Sequence, residues 1–202
     1  MDSTLYVYPV LLGLGLAAST GLKTFLPLLA LAGAAHFQLF GVDLNGSFAW
    51  LKSDVALWTL AIATGIELIG DKIPAVDHAL DVAGTGLRPV AGTLVAASVF
   101  TNSDPAVAAL LGFIIGAPTA FSFHAAKAGT RVTSSATTFG MGNPALSLLE
   151  DVLSLGMIVI SFVVPLLVPF ILLVAFLMIW KVYKTVRRKL PAKRGAPRVL
   201  TS

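Results

Sequence analysis

Lys23 stands near the middle of an apolar run, Leu11 to Leu31 (LLGLGLAASTGLKTFLPLLAL), that is long enough to cross a bilayer. A charge at membrane depth is expensive, and it either pairs with another or marks a pathway for ions or protons. Further ionisable residues lie within or beside other apolar stretches. Glu67 and Asp71 share one helix face with Thr64, at steps of three and four. Asp77, His78, Asp81 and Arg88 follow in DKIPAVDHALDVAGTGLRPVAG, Asp71 to Gly92. His124, Lys127, Arg131 and Ser134 repeat at helical steps and form a cationic stripe, and Glu150 and Asp151 open the next segment. The chemistry this set supports is charge pairing and the passage of an ion or small polar solute. The site candidates are therefore Lys23, Glu67, Asp71, Asp77, Arg88, His124, Lys127, Arg131, Glu150 and Asp151.

Two pairings are expected. Lys23 and Glu67 should meet inside the bundle, because counting 1.5 Å per residue along antiparallel neighbours brings them to similar depth. The cationic stripe should be matched by Glu150 and Asp151, since opposite charges at a half-buried site keep each other ionised. The bland alternative for the stripe is a headgroup-facing surface, as long basic side chains snorkel readily. Asp77, His78 and Asp81 are weak metal candidates. With no H-E-x-x-H and only three histidines, metal-dependent chemistry ranks low, and no cofactor is expected. The absence of cysteine excludes disulfides and thiolate sites.

The elements that must position these residues are membrane helices. Hydrophobic residues make up 56% of the chain against 12% charged, and mean hydropathy is +0.88, which excludes an ordinary soluble domain. The expected fold is all-α, a polytopic bundle of about six transmembrane segments, with five as the alternative. A first helix is expected from about Pro9 to His36, retained rather than cleaved because Asp2 is acidic and Lys23 and Pro27 interrupt any signal-like core. A turn-rich loop, Gly41 to Ser53, precedes a second helix from Asp54 to about Ile73. Gly84, Gly86 and Pro89 predict a discontinuous third segment. A fourth helix follows Pro105. The uncharged run Val152 to Trp180 is broken by Pro165 and Pro169, as one kinked helix or a hairpin.

A repeat is visible at a constant offset: Gly13, Ala17 and Gly21 fall on Gly112, Gly116 and Ala120, since 112 − 13 = 99 and 120 − 21 = 99. Small residues every four positions let another backbone approach closely. Six spans put Lys72, Arg88, Lys127 and Arg131 on the cytoplasmic side with the basic tail and leave Lys52 outside. That scheme divides the chain into a first membrane repeat (1–104), a second (105–182) and a basic cytoplasmic tail (183–202), with the two repeat copies inverted. The net charge of +4, crowded into the tail, speaks of topology and contact with anionic lipid headgroups, not of nucleic acid. The small-residue stripes serve packing within the chain or a homo-oligomer equally.

With these signatures assembled, the chain resembles a family of bacterial integral membrane proteins catalogued only as a domain of unknown function. The resemblance rests on Ser19 to Leu28, Glu67 with DKIPAVD at Asp71 to Asp77, RPVAG at Arg88 to Gly92, HAAKAGTR at His124 to Arg131 and GNPALSLLEDVL at Gly142 to Leu153. It implies a compact helical membrane protein and carries no established activity; the expected location is the inner membrane, multi-pass, with the C-terminus cytoplasmic. Lys23 stands where Arg is associated with the pattern, which keeps the charge and loses the forked donor geometry. From the residues themselves, the leading expectation is a carrier or channel for an ion or small polar solute. A structural or partner-binding membrane protein is the second, and an intramembrane metal-dependent enzyme the third.

Overall fold

The computed structural model describes residues 4–189, and among them every regular element is helical. In order these are α1 (Thr4–Leu22), α2 (Leu26–His36), two short 3-10 helices (Leu39–Gly41 and Gly46–Lys52), α3 (Asp54–Gly70), α4 (Pro74–Ser98), α5 (Pro105–Thr138), α6 (Asn143–Val163), a 3-10 turn at Pro165–Leu167, and α7 (Val168–Lys189). Helices α5 and α6 are each long and apolar enough to cross a membrane, and a third span results if the bent pair Gly46–Lys52 and α3 counts as one. The chain divides into two compact units, Met1–Val168 and Pro169–Ser202.

In the first unit the polarity of a soluble helix is reversed. On α3 the exposed stripe is Val55, Trp58, Ile62, Ile66 and Ile69, while the buried face carries Thr64 and Glu67. A helix that hides its ionisable groups and presents isoleucine and tryptophan outward suits a hydrocarbon solvent. Backbone contacts are close where the small residues fall. A side chain on Gly112 would meet Ala97 of α4 at 2.5 Å, and one on Gly116 would run into the Gly92 carbonyl. An apolar core of Leu12, Leu16, Leu31, Leu51, Val95 and Phe162 fills the space between α1, α2, α4 and α6.

Three expectations are corrected here. The first helix is not continuous: Lys23, Thr24 and Phe25 are non-helical and the chain doubles back. After α2, Phe40 stacks on Phe162 of α6 at 5.4 Å, and the Asn45 N–H donates to the Ser98 carbonyl at 2.8 Å. Both partners lie level with the first half of α1, since Ser161 faces Gly15 and Ala96 faces Gly13. Pro27 favours the break, because in a continuous helix its ring would crowd the Lys23 carbonyl four residues back and leave that carbonyl unbonded, although α4 and α5 run on through Pro89 and Pro118. The third segment, in contrast, is not broken, and α4 runs through Gly84, Gly86 and Pro89. Gly84 leaves room for the Arg88 side chain, whose Nε would lie 3.0 Å from a Cβ there.

The repeat copies are not inverted. Gly13 and Gly112 meet the neighbouring residues Ala96 and Ala97 of α4, and Gly21 abuts Ala120 of α5. The sequence offset of 99 is thus kept in space, with α1 and α5 side by side in the same direction. The extra reversal at Lys23 is what turns an expected antiparallel pair into a parallel one.

The second unit contains α7, in which Phe176 and Trp180 lie 6.0 Å apart. The basic tail expected to contact lipid is helical as far as Lys189, and Lys193, Arg194 and Arg198 lie outside the described residues.

Candidate functional site: a buried charged layer at a broken helix

Five helix segments deliver charge to one layer of the first unit. The break after α1, the end of α3 with its turn, the first two-thirds of α4 and the start of α6 meet the second half of α5. There five cations (Lys23, Lys72, Arg88, Lys127, Arg131) face six carboxylates (Glu67, Asp71, Asp77, Asp81, Glu150, Asp151). Lys23 and Arg88 are among the most deeply buried large side chains of the protein, at 0% and 2% exposure.

The first cluster is a closed ring of alternating charge. Lys23 Nζ pairs with Asp71 Oδ2 and lies 2.5 Å from Asp151 Oδ1. Lys72 Nζ takes the other oxygen of each carboxylate, Asp71 Oδ1 and Asp151 Oδ2, both at 2.7 Å, and donates to Ser147 Oγ at 2.8 Å. Each carboxylate therefore spends one oxygen on each lysine. Beside the ring, Ser19 Oγ of α1 bonds Ser154 Oγ of α6 at 2.7 Å.

The second cluster is centred on Arg131. Its Nε and Nη2 bind Glu150 in a two-pronged bond of 2.9 and 2.6 Å, and its Nη1 pairs with Asp77. Lys127 bridges Glu150 at 3.1 Å and Asp81 at 3.2 Å, and Arg88 Nη2 reaches Asp81 at 3.3 Å. Arg88 Nη1 also donates to His124 Nδ1. A guanidinium has no acceptor, so Nδ1 must be bare and the ring proton sits on Nε2, 3.1 Å from Thr85 Oγ1.

The break between α1 and α2 joins the two clusters. A helix C-terminus carries partial negative charge and an N-terminus partial positive charge. At the end of α1, Lys127 Nζ donates to the Leu22 carbonyl at 3.4 Å. At the start of α2, Glu67 accepts the Thr24 N–H on Oε1 at 2.8 Å and the Phe25 N–H on Oε2 at 3.0 Å. Each exposed helix end is met by a side chain of opposite charge, which is how an irregular backbone survives away from water.

The expected pair of Lys23 and Glu67 is corrected by these contacts. Lys23 turns to Asp71, one helical turn beyond Glu67, and to Asp151, while among the described residues the Glu67 side chain binds backbone only. The cationic stripe does meet carboxylates: Arg131 and Lys127 share Glu150. Asp151 belongs to the lysine ring instead, and Asp77 and Asp81 supply the remaining acids. Asp77, His78 and Asp81 do not converge, because both carboxylates are taken by Arg131, Lys127 and Arg88 and His78 is exposed on the next face. Among the described residues no three His, Asp or Glu come together as a metal site. Lys72 was outside the expected site. Its signal was charge beside Asp71 at a helix end, which reads equally as a solvated terminus.

A family model described as "Domain of unknown function (DUF4126)" matches residues 10–185. The chain belongs to this family. The matched stretch contains both clusters and the helix break in full. No curated protein and no solved structure matches the chain.

Proposed function

We propose that the chain is a multi-pass membrane transport protein, a carrier or channel for an ion or small polar solute, with the charged layer as its working part. The observation that carries this reading is the α1–α2 break. Two half-helix ends deep in an apolar chain point at ionisable groups, Glu67 and Lys127. Discontinuous helices whose ends face charges are the recurrent way in which secondary transporters bind ions. The proposal counts six membrane segments, the α1–α2 hairpin taken as one, in a bacterial inner membrane. The layer faces the cytoplasm because Lys72, Arg88, Lys127 and Arg131 lie toward that end and Lys52 toward the other.

The test is electrical. Purified full-length protein in liposomes is exposed on a solid-supported membrane to jumps of sodium chloride, potassium chloride, sodium phosphate and pH. At least one jump should give a current above protein-free liposomes, and Glu67→Gln should remove it. Silence to every jump would sink the reading of the layer as a path for these ions.

A second reading is a structural or partner-binding membrane protein, alone or as a homo-oligomer with anionic lipid at its basic tail. The alternating lysine–aspartate ring favours it, because charges that neutralise one another can fix helix positions without moving anything. An intramembrane metal enzyme has less support, since the carboxylates it would need are engaged by cations.

A further inference from the structure

At the other end of the first unit, a pocket of about 450 Å³ lies between the end of α2 and the loop that follows, lined by Ala35, His36, Gln38, Val42, Asp43 and Lys52. The loop that walls it is firmly built. Asn45 is 2% exposed, and its side-chain amide donates to the carbonyls of Phe100 and Ser103, both at 2.9 Å. Val42, Leu44 and Leu51 are buried beneath. The turn entering the loop is strained: Gln38 and Phe40 have φ of 54° and 57°, in the left-handed region that side chains other than glycine's rarely adopt. Strain of this kind persists only where the surroundings fix it, and it gathers at ligand sites.

The pocket offers both signs of charge. Lys52 Nζ is 2.5 Å from Asp43 Oδ1, with the two side chains 36% and 71% exposed, so the pair is a surface bridge of small net worth and opens readily. The Lys52 ammonium and the Leu44 N–H hold the Asp43 carboxyl below its usual range, so it stays ionised in mild acid. His36 Nδ1 bonds the Lys52 carbonyl at 2.7 Å, which places the proton of a neutral ring on Nδ1. A simple anion would meet Asp43, and a simple cation would meet Lys52. A ligand carrying both charges a few ångströms apart exchanges the internal bridge for two new ones. Flanking the lining residues in the chain are exposed Phe37, Leu39, Phe40 and Trp50, an apolar and aromatic set typical of a membrane interface.

We propose that this pocket binds a zwitterionic phosphoethanolamine group, presented as the headgroup of a phosphatidylethanolamine lipid. Its phosphate faces Lys52, its primary ammonium donates to Asp43, and its acyl chains leave over Phe37, Leu39 and Phe40. The site is independent of the charged layer and of any transport.

The experiment melts the full chain in detergent with added phosphatidylethanolamine, phosphatidylcholine or phosphatidylglycerol of one acyl composition, and with soluble phosphoethanolamine. Phosphatidylethanolamine should raise the midpoint most, because phosphatidylcholine has no N–H donor and phosphatidylglycerol no cation. Asp43→Asn and Lys52→Met should each abolish that difference while melting like the parent without lipid. Equal shifts from all three lipids, or a selective shift that survives in both variants, would overturn the site. Soluble phosphoethanolamine giving the full shift alone would overturn the lipid assignment in favour of a free zwitterion.

Discussion

Glu67 uses both of its carboxylate oxygens: among the described residues its side-chain partners are two backbone N–H groups and no cation. In Glu67→Gln one of the two acceptor oxygens becomes an NH₂ that faces a donor. The loss should be about 1–3 kcal/mol, the cost of leaving a buried donor unmet, read as a lower midpoint in thermal unfolding. Lys23→Met should cost more, about 3–5 kcal/mol, since Asp71 and Asp151 would then share Lys72 alone. Adding Asp71→Asn to Lys23→Met restores balance and should recover much of that loss. A double variant as unstable as the sum of its parts would mean that the ring is not a coupled unit. At this scale the sequence displayed the partners but not the pairing. Glu67 and Asp71 share a face one turn apart, and a depth count is uncertain by about the 5.4 Å of a turn. Nothing in spacing alone could choose which carboxylate meets Lys23.

Packing of α5 is where single elements can be tested. Gly116→Leu and Gly112→Leu should each lower the melting midpoint strongly or change the assembled size, because the added side chain meets the backbone of α4 with no room to relax. Gly129→Ala, on the same helix with nothing within 4 Å, should be neutral or raise stability by up to about 1 kcal/mol through helix propensity. If Gly129→Ala destabilised as much as the other two, the helix would resent any change and the close-packing account would fall. The small-residue stripe was readable because period four is a direct consequence of helix geometry. The break in α1 was readable too, in Pro27, yet Gly84, Gly86 and Pro89 gave the louder turn signal. Gly84 answers a tertiary demand instead, clearing space for the Arg88 side chain, and no local pattern distinguishes such a glycine from one that ends a helix.

The reversal at Lys23 propagates to the whole first unit. It makes the two repeat copies parallel, a relation set by a single turn and therefore invisible to the alignment that found them. It also places the loop around Ser47 and the turn at Met141 at opposite ends of α5, which at 34 residues is about 50 Å long. Because the chain has no cysteine, one introduced thiol reports sidedness without a background to subtract. Ser47→Cys and Met141→Cys both replace exposed residues. In intact cells a membrane-impermeant maleimide should label Ser47→Cys, and should label Met141→Cys only after permeabilisation. The direction follows from the excess of Lys and Arg at the charged-layer end, which positive-inside insertion retains in the cytoplasm. The reverse pattern would turn the charged layer outward and make Lys52 the cytoplasmic residue. Labelling of both sites from outside would mean that α5 does not cross, and the membrane placement of the charged layer would then have to be abandoned.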